Sequence, residues 1–339
     1  MSERLHTLNE RLDRATAART HFFDERHVNA FRLFNGFIEG CPELVIDLYG
    51  KTGLIHHYGA PTEIDAVTAA QRWLLAQLPW IETVVVKARK GANDQEKRGV
   101  VTFGRRPDRK VREHGVWYSA DLLMNRDASF YLDTRNLRRW ILDNLDGKTV
   151  LNTFAYTGSL GVAAVAAGAT RVIQSDLNRQ FLNVAKTSHT LNGFPIDKKT
   201  FVSADFFPYM NRLKRAGERF DCVIVDPPFF SRTRRGTVDL AKNVTRLVNK
   251  VRPIVNHGGQ IVVINNALFF SGRDFWAALQ SLCGPYVEIA GRVDVSADFT
   301  GYPSTRLTPP ITDPAPFNHS TKIAILNVFH KVEKSQANS

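Results

Sequence analysis

In the second half of the chain, short apolar runs alternate with segments whose apolar residues recur at helical spacing. The runs predict strands at "KTVLNTF", "RVIQSD", "TFVSAD", "FDCVIVD" and "QIVVINN", and "LGVAAVAAG" and "NRQFLNVAKTSHTLNG" predict helices between them. This alternation favours an α/β fold with a doubly wound parallel sheet. Two further strands, around "YVEIAGRV" and "TKIAILNVF", are predicted to finish the domain.

The first third of the chain has a less regular pattern. Residues 1–28 form a charged segment with leucines near helical spacing, which predicts an amphipathic helix. Residues 29–107 combine short apolar runs, broken by Gly and Pro, with one helical segment, and this predicts a small α+β domain. The stretch "GRRPDRKVREHG" is predicted to be a charged linker, and residues 108–339 to be the catalytic domain.

The length of 339 residues favours two domains. No apolar run approaches the length of a membrane span, and the charged N-terminal segment lacks the apolar core of a signal peptide, so we expect a cytoplasmic protein. The three cysteines, Cys41, Cys222 and Cys283, are far apart and form no CxxC pair. This pattern argues against a disulfide framework and against a zinc site, and we expect no metal.

Positive charge is in excess, with a formal net charge of +12. Lys and Arg concentrate in "KARK" (87–90), "GRRPDRKVR" (104–112) and "SRTRRG" (231–236). Such clusters attract a polyanion, and nucleic acid is the first candidate. A basic enzyme with a solvated charged surface is the alternative.

Three aspartates end successive predicted strands: Asp176, Asp205 and Asp226. The loop after the first strand, "NTFAYTGS", has only Gly158 and lacks the G-x-G-x-x-G pattern that lets backbone approach a diphosphate. An acid after the second strand is placed to accept from ribose hydroxyls. Together these features favour a nucleoside cofactor without phosphates, namely S-adenosylmethionine, over NAD or FAD. Simple capping of helices or turns by the aspartates is the alternative.

The stretch "VLNTFAYTGSLGVAAVAAGATRVIQSDLNRQFLNVAKTSHTLNG" resembles the core of bacterial large-subunit (23S) ribosomal RNA methyltransferases. Upstream, "DASFYLDTRNLRR" is similar to the F-x-L-D-x-R segment of that family, and "FRLFNGFIEGCPELVIDLYG" is similar to its small central domain. The likeness covers roughly residues 30–330. The RNA-binding PUA domain at the N-terminus of some members is missing from this sequence.

The resemblance implies a Rossmann-like class I methyltransferase fold that binds S-adenosylmethionine and acts on ribosomal RNA. Asp176 would hold the ribose and Asp205 the adenine amino group. Other residues would lie beside the methionine end of the cofactor or in the first loop. The predicted cofactor-binding set is Phe130, Asp133, Arg135, Asn152, Phe154, Tyr156, Thr157, Gly158, Asp176, Asn178, Asp205 and Phe206.

The atom that receives the methyl group depends on the residue after the fifth strand. In the family resembled here, members that methylate cytosine C5 carry a cysteine there, because C5 needs covalent activation by a thiolate. This sequence has Asn266 at that position, preceded by Asn265. Guanine N7 presents a lone pair without activation, so guanine N7 is favoured over cytosine C5.

The stretch "DPPFFSRTRR" is predicted to contact the target base and its flanking phosphates. Asp226, Pro227, Pro228 and Phe229 form the predicted catalytic set. Predicted substrate contacts come from Phe230, Arg232, Arg234, Arg235, Asn265 and Asn266. One of the two phenylalanines would stack on a flipped base and the other would pack in the core.

Each of these assignments has an alternative: the arginines fit a solvated loop, and an asparagine fits a turn cap. Two other activities stay open: cytosine C5 methylation, and methylation of a protein glutamine, since Asn/Asp-Pro-Pro-Tyr/Phe loops also hold side-chain amides.

Overall fold

The computed structural model of the protein describes residues 2–60, 62, 64–228, 230–233 and 236–331, with the backbone alone for 2–5, 230–233 and 236–242. The chain divides into two compact units. The first comprises residues 1–136, 183–196 and 295–311, and the second 137–182, 197–294 and 312–339. None of the helices in the described ranges is long and apolar enough to cross a membrane. The predicted boundaries at residues 28 and 107 stay predictions.

The first part of the chain forms a five-stranded sheet and a separate hairpin. Strands β3 and β4 are parallel and joined by α3, whereas the other neighbours in the sheet are antiparallel. The elements are α1 (Ser2–Ala18), β1 (Ala30–Asn35), α2 (Gly36–Glu39), β2 (Leu44–Tyr49), β3 (Thr52–His57), α3 (Asp65–Gln77), β4 (Thr83–Ala88), α4 (Asp94–Arg98), β5 (Val100–Phe103), β6 (Lys110–Glu113) and β7 (Val116–Ser119).

Two predictions for this region need correction. The N-terminal helix ends at Ala18, well before residue 28, and a short 3₁₀ turn follows it. The stretch predicted as a charged linker contains β6, which pairs with β7 in register from Lys110 opposite Ser119 to Glu113 opposite Val116.

The two faces of the five-stranded sheet have different chemistry. One face packs its apolar side chains against α1 and α3, with Leu12 and Leu74 fully buried. The opposite face carries Arg32, Asp47 and His56; Arg32 Nε lies 2.8 Å from Asp47 Oδ1, and His56 Nε2 lies 3.3 Å from Asp47 Oδ2. Burial opposes the charge of Asp47, but Arg32 and His56 hold its pKa at about 2.

The rest of the chain builds a seven-stranded sheet in the order β10-β9-β8-β11-β14-β16-β15. The first five of these strands are parallel; β16 runs antiparallel to both β14 and β15. The elements are α5 (Arg135–Asn144), β8 (Thr149–Thr153), α6 (Ser159–Ala166), β9 (Arg171–Asp176), α7 (Arg179–Leu191), β10 (Phe201–Ser203), α8 (Phe206–Arg215), β11 (Phe220–Val225), β12 (Phe230–Thr233), β13 (Gly236–Asp239), α9 (Leu240–Val251), β14 (Val255–Asn265), α10 (Gly272–Gln280), β15 (Val287–Arg292), α11 (Ala297–Thr300) and β16 (Lys322–Val328).

This sheet confirms the predicted doubly wound α/β architecture. Its central strand β11 is buried on both sides: Val223 and Val225 pack in one apolar cluster, and Cys222 and Ile224 in the other. The strand order reverses between β8 and β11, and open α/β sheets bind ligands outside the carboxyl ends of the strands at such a point. The fold therefore places the site at the loops that follow β8 and its neighbours.

A buried ion pair anchors α1 in the first unit and yields a stability prediction. Arg19 Nη1 lies 3.0 Å from Glu39 Oε1, and both side chains are almost fully buried. Replacing Arg19 with Met leaves the Glu39 carboxylate buried without its cation, so the free energy of unfolding should fall by roughly 3–5 kcal/mol. Urea denaturation measures the change.

The double replacement Arg19→Met with Glu39→Met is the control, because it removes both charges together. It should be clearly more stable than the single variant. Equal destabilisation of the two variants would show that the ion pair is not what holds this part of the fold.

Candidate active site

The loop after β8 has an unusual backbone. Phe154 and Tyr156 have φ values of 52° and 49°, a left-handed conformation that non-glycine residues rarely adopt. Gly158, with φ 77°, precedes α6 as its N-cap, and Thr157 is buried. Strain of this kind persists only where surrounding contacts fix the chain, and such positions cluster at functional sites.

Asp176, the last residue of β9, supplies one of those contacts. Its Oδ2 accepts from the Tyr156 backbone N–H at 2.8 Å, and its Oδ1 accepts from the Asn178 N–H at 2.8 Å. Burial raises the pKa of this carboxyl above its ordinary value, although the backbone donors oppose that shift. Each carboxylate oxygen keeps a further lone pair, so the group that shapes the loop can also accept from ligand hydroxyls.

Asn178 and Asp205 both cap helices or turns at the same edge of the sheet. Asn178 Oδ1 accepts from the Gln180 N–H at 2.9 Å, just before α7. Asp205 is the N-cap of α8, and its Oδ1 accepts from the Phe207 N–H at 3.1 Å. The capping alternative is therefore observed for Asp205, and its second carboxylate oxygen can still accept a hydrogen bond.

An aromatic pair lies between the loop after β8 and the start of α8. The rings of Phe154 and Phe206 are stacked, with centroids 4.6 Å apart and an interplanar angle of 25°. On the other side of the loop, the Tyr156 ring meets Phe181 edge-on at 4.5 Å. These flat apolar rings lie at the same edge as the carboxylates of Asp176 and Asp205. Such a combination suits a heterocycle that carries hydroxyl and amino groups.

Two buried side-chain amides lie side by side on β8 and β9, the strands that lead to this edge of the sheet. Asn152 on β8 is in register with Gln174 on β9, and each is 1% exposed. Within the described residues, Asn152 Nδ2 and both polar side-chain atoms of Gln174 have no hydrogen-bond partner. A buried unsatisfied polar group costs about 1–3 kcal/mol, so these atoms fit a site that receives a polar ligand or water.

The predicted cofactor residues Phe130, Asp133 and Arg135 belong to the first unit. Phe130 is buried, with its ring 4.9 Å from Tyr118. Arg135 is buried and engaged: Nη1 lies 3.5 Å from Glu113 Oε2, and Nη2 donates to the Ala30 carbonyl. Asp133 is half-buried. A direct role of these residues at the cofactor stays a prediction.

The motif after β11 is described in part. Asp226 is half-buried, Pro227 is buried and Pro228 is exposed, whereas Phe229, Arg234 and Arg235 lie outside the described residues. Phe230 and Arg232 belong to β12, which pairs with β13 so that Phe230 is in register with Asp239 and Arg232 with Thr237. Where its backbone is described, this segment is thus a β-hairpin, whereas a solvated loop was the alternative for its arginines.

Two side chains hold the turn after β14 by hydrogen bonds to the backbone of Ala267. The Asn265 Oδ1 accepts from the Ala267 N–H at 3.1 Å, and the buried Lys322 Nζ donates to the Ala267 carbonyl at 3.0 Å. Burial lowers the pKa of Lys322 to about 8. Asn265 Nδ2 is buried without a partner in the described structure, and Asn266 is exposed. One asparagine therefore caps a turn and still keeps a free amide donor.

Phe269 is a candidate that the sequence reasoning missed. Its side chain is 92% exposed, two residues after the fixed Ala267. The run "ALFF" has the composition of core, and only its place just after a strand end could have indicated exposure. A phenylalanine this exposed, three residues after Asn266 in the chain, is available to stack on a ligand.

The cysteines do not lie at the end of β14. Cys222 is fully buried in β11, and burial raises the pKa of its thiol to about 12. Cys41 is buried in the apolar cluster of the first unit, and Cys283 lies beyond the end of α10. Within the described ranges, no three His, Cys, Asp or Glu side chains are grouped as metal ligands.

Comparison with known proteins gives concordant findings. Residues 103–305 match the family described as S-adenosylmethionine-dependent methyltransferase. The ribosomal RNA large subunit methyltransferase I of Photobacterium profundum is 28% identical over 77% of this chain and 68% of its own length. The corresponding methyltransferase K/L of Psychrobacter arcticus is 31% identical over 71% of this chain, but the match spans only 32% of that protein. A solved methyltransferase complexed with SAH superposes with a TM-score of 0.82 at 20% identity, covering 96% of this chain and 82% of that one.

The role of Asp176 in shaping the site gives a binding prediction. In Asp176→Asn, one of the two backbone donors loses its acceptor, because an amide offers a single oxygen. Loss of a hydrogen bond to a charged group, about 1.5–3 kcal/mol, should weaken binding of S-adenosylhomocysteine roughly 10- to 150-fold. Titration calorimetry measures the affinity.

The exposed Asp143 on α5 provides the matched control, since Asp143→Asn makes the same chemical change away from the site. A pH series adds a second readout. The ionised carboxylate accepts both bonds, so wild-type affinity should fall as the pH is lowered through the raised pKa of Asp176. An unchanged affinity in Asp176→Asn would remove this residue from the cofactor site.

Proposed function

Because the chain belongs to the S-adenosylmethionine-dependent methyltransferase family, we propose that it methylates a base of large-subunit ribosomal RNA, at guanine N7. The RNA substrate is supported by the curated relatives, whose names specify that substrate, and by the net charge of +12. The choice of nitrogen is carried by one observation: β14 ends in Asn265 and is followed by Asn266 rather than by a cysteine.

The groups at this edge of the sheet support binding of the cofactor. Asp176 would accept from the ribose hydroxyls and Asp205 from the adenine amino group. Phe154 and Phe206 would pack against the adenine, and the loop from Tyr156 to Gly158 would bring backbone close to it. When bound, S-adenosylmethionine supplies a methyl group on a sulfonium sulfur. The protein residues then have to orient the acceptor and exclude water.

Carbon methylation would need a nucleophile that the described site does not offer. A thiolate must add to the cytosine ring before C5 can react. Cys222 is fully buried with a pKa of about 12, so its thiol stays protonated at neutral pH. Guanine N7 already carries a lone pair, and its methylation depends on position alone.

Residues at the ends of β11 and β14 are suited to orient a guanine. The Asp226 carboxylate would accept from the amino and imino groups of the base, and the Pro227 and Pro228 carbonyls can accept as well. The unpartnered Nδ2 of Asn265 would donate to a base acceptor, with Asn266 beside it. Phe269 would stack on the flipped base together with Phe229 or Phe230. Arg232, Arg234 and Arg235 would contact flanking phosphates.

The product of the reaction tests the proposal. Ribosomal RNA from cells that lack the protein should gain 7-methylguanine when incubated with the enzyme and cofactor, as seen by mass mapping. The double variant Cys222→Ala with Cys283→Ala should make the same product at a similar rate, because neither thiol takes part.

Two outcomes would contradict the proposal. Loss of activity in the folded double variant, with 5-methylcytosine as the wild-type product, would establish the covalent route. Labelling that survives ribonuclease treatment of a cell extract would indicate a protein substrate.

The exposed ring of Phe269 gives a separate kinetic prediction. Phe269→Ala should lower kcat/KM by roughly 5- to 150-fold, because a base–aromatic stack contributes about 1–3 kcal/mol. Steady-state methylation of ribosomal RNA measures it. Tyr286 is 43% exposed in the same unit, and Tyr286→Ala is the matched control. Equal rates for the Phe269 variant and the control would leave the ring without a role in substrate binding.

A further inference from the structure

The β6–β7 hairpin of the first unit presents an aromatic ring between two cations. Arg112 lies opposite Trp117 in the register of the hairpin, and Lys110 is diagonal to it. Lys110 Nζ is 4.8 Å from the centroid of the indole, and Arg112 Cζ is 5.8 Å from it. These are cation–π distances, so the three side chains share one face of the hairpin.

The other face of the hairpin is buried. Val111, Glu113 and Tyr118 are each at most 1% exposed. Glu113 pairs with Arg135, and the Tyr118 ring packs on Phe130. The alternation along both strands therefore directs Lys110, Arg112 and Trp117 away from the interior.

Both edges of the hairpin are also occupied. On the β6 side, the Arg112 N–H donates to the Val28 carbonyl at 2.8 Å. On the β7 side, the Asn192 side chain accepts from the Trp117 N–H and donates to the Trp117 carbonyl, at 2.9 and 2.7 Å, and Ser188 Oγ accepts from the Ser119 N–H. Covered edges cannot recruit another strand, so the side chains of the outer face are what this hairpin offers to a partner.

Three further cations, Arg105, Arg106 and Arg109, directly precede Lys110 in the chain. All four are exposed, and among the described residues none of them forms an ion pair. The single acid among residues 104–112, Asp108, points elsewhere, since its Oδ2 accepts from the Lys51 N–H at 2.7 Å. By contrast, Arg19, Arg32 and Arg89 of the same unit each pair with a carboxylate. The charge here is uncompensated and is complementary to a polyanion.

We propose that this outer face, defined as Lys110, Arg112 and Trp117, docks a single-stranded stretch of the RNA substrate together with the preceding basic segment Arg105, Arg106 and Arg109. The inference rests on the proposed function. The cations would contact successive phosphates, and the indole would supply an aromatic surface for a neighbouring base. This combination of basic groups and an aromatic ring binds single strands largely without regard to sequence.

The test is the salt dependence of binding to large-subunit ribosomal RNA from cells that lack the protein. The variant carries four substitutions, Arg105→Gln, Arg106→Gln, Arg109→Gln and Lys110→Gln. Its plot of log affinity against log salt should flatten by roughly 0.7 for each phosphate contact that is lost. Methylation should slow at low RNA concentration, and binding of S-adenosylhomocysteine should remain at the wild-type level.

The matched control removes four exposed cations of the second unit: Lys198→Gln, Lys199→Gln, Lys214→Gln and Arg215→Gln. The slope of log affinity against log salt should remain steeper for this control than for the hairpin variant. A single Trp117→Leu variant tests the aromatic surface separately and should weaken binding roughly 5- to 150-fold without a change in slope.

The docking surface would be refuted if the hairpin variant bound RNA with the wild-type slope of log affinity against log salt. It would also be refuted if the slope of the hairpin variant flattened no more than that of the control. This result is distinct from failure of the proposed function. A wild-type enzyme that binds ribosomal RNA without methylating it would refute the function, while the two slopes would still decide the docking surface. A wild-type enzyme that does not bind the RNA would refute both.

Discussion

The parallel pairing of β8, β9, β10, β11 and β14 is the constraint on which the candidate site depends, because it brings the carboxyl ends of five strands to one edge. Apolar burial of β11 on both faces fixes this arrangement. The edge is then shaped by bonds from one strand end to the next loop. The Asp176 carboxylate, for example, accepts from the Tyr156 N–H and thereby holds a strained backbone in place.

Buried charge organises the first unit in a different way. Arg19, Arg32 and Arg135 each face a carboxylate, and Lys87 Nζ donates to the Asn125 and Asp127 carbonyls while burial lowers its pKa to about 8. Such groups are costly to leave unpaired, so they fix geometry more than they add stability. The exposed basic side chains that do not pair with a described carboxylate are therefore the ones available to a binding partner.

Much of the second unit could be predicted from its sequence, because β9 and β11 are apolar runs bounded by charged residues and their ends follow directly from that pattern. Helix α8 escaped prediction since Pro208 in its first turn is usually read as a breaker, although a proline is tolerated there. The left-handed Tyr156 could not be foreseen, because a tertiary bond to Asp176 holds it. The β6–β7 hairpin does alternate apolar and polar residues, but its high charge favoured a linker over a pair of strands.

The stiffness of the turn after β14 bears on the proposed choice of nitrogen over carbon. A reaction that starts from an existing lone pair gains its rate from position, so the groups around the base must be held rather than chemically activated. Ala267 is held at its N–H by Asn265 and at its carbonyl by Lys322, whose ammonium is stabilised by carbonyl oxygens instead of an acid. That arrangement fixes the backbone between Asn266 and Phe269 without using a carboxylate. A turn built in this way suits recognition of a base edge, and residues 265–271 include no cysteine.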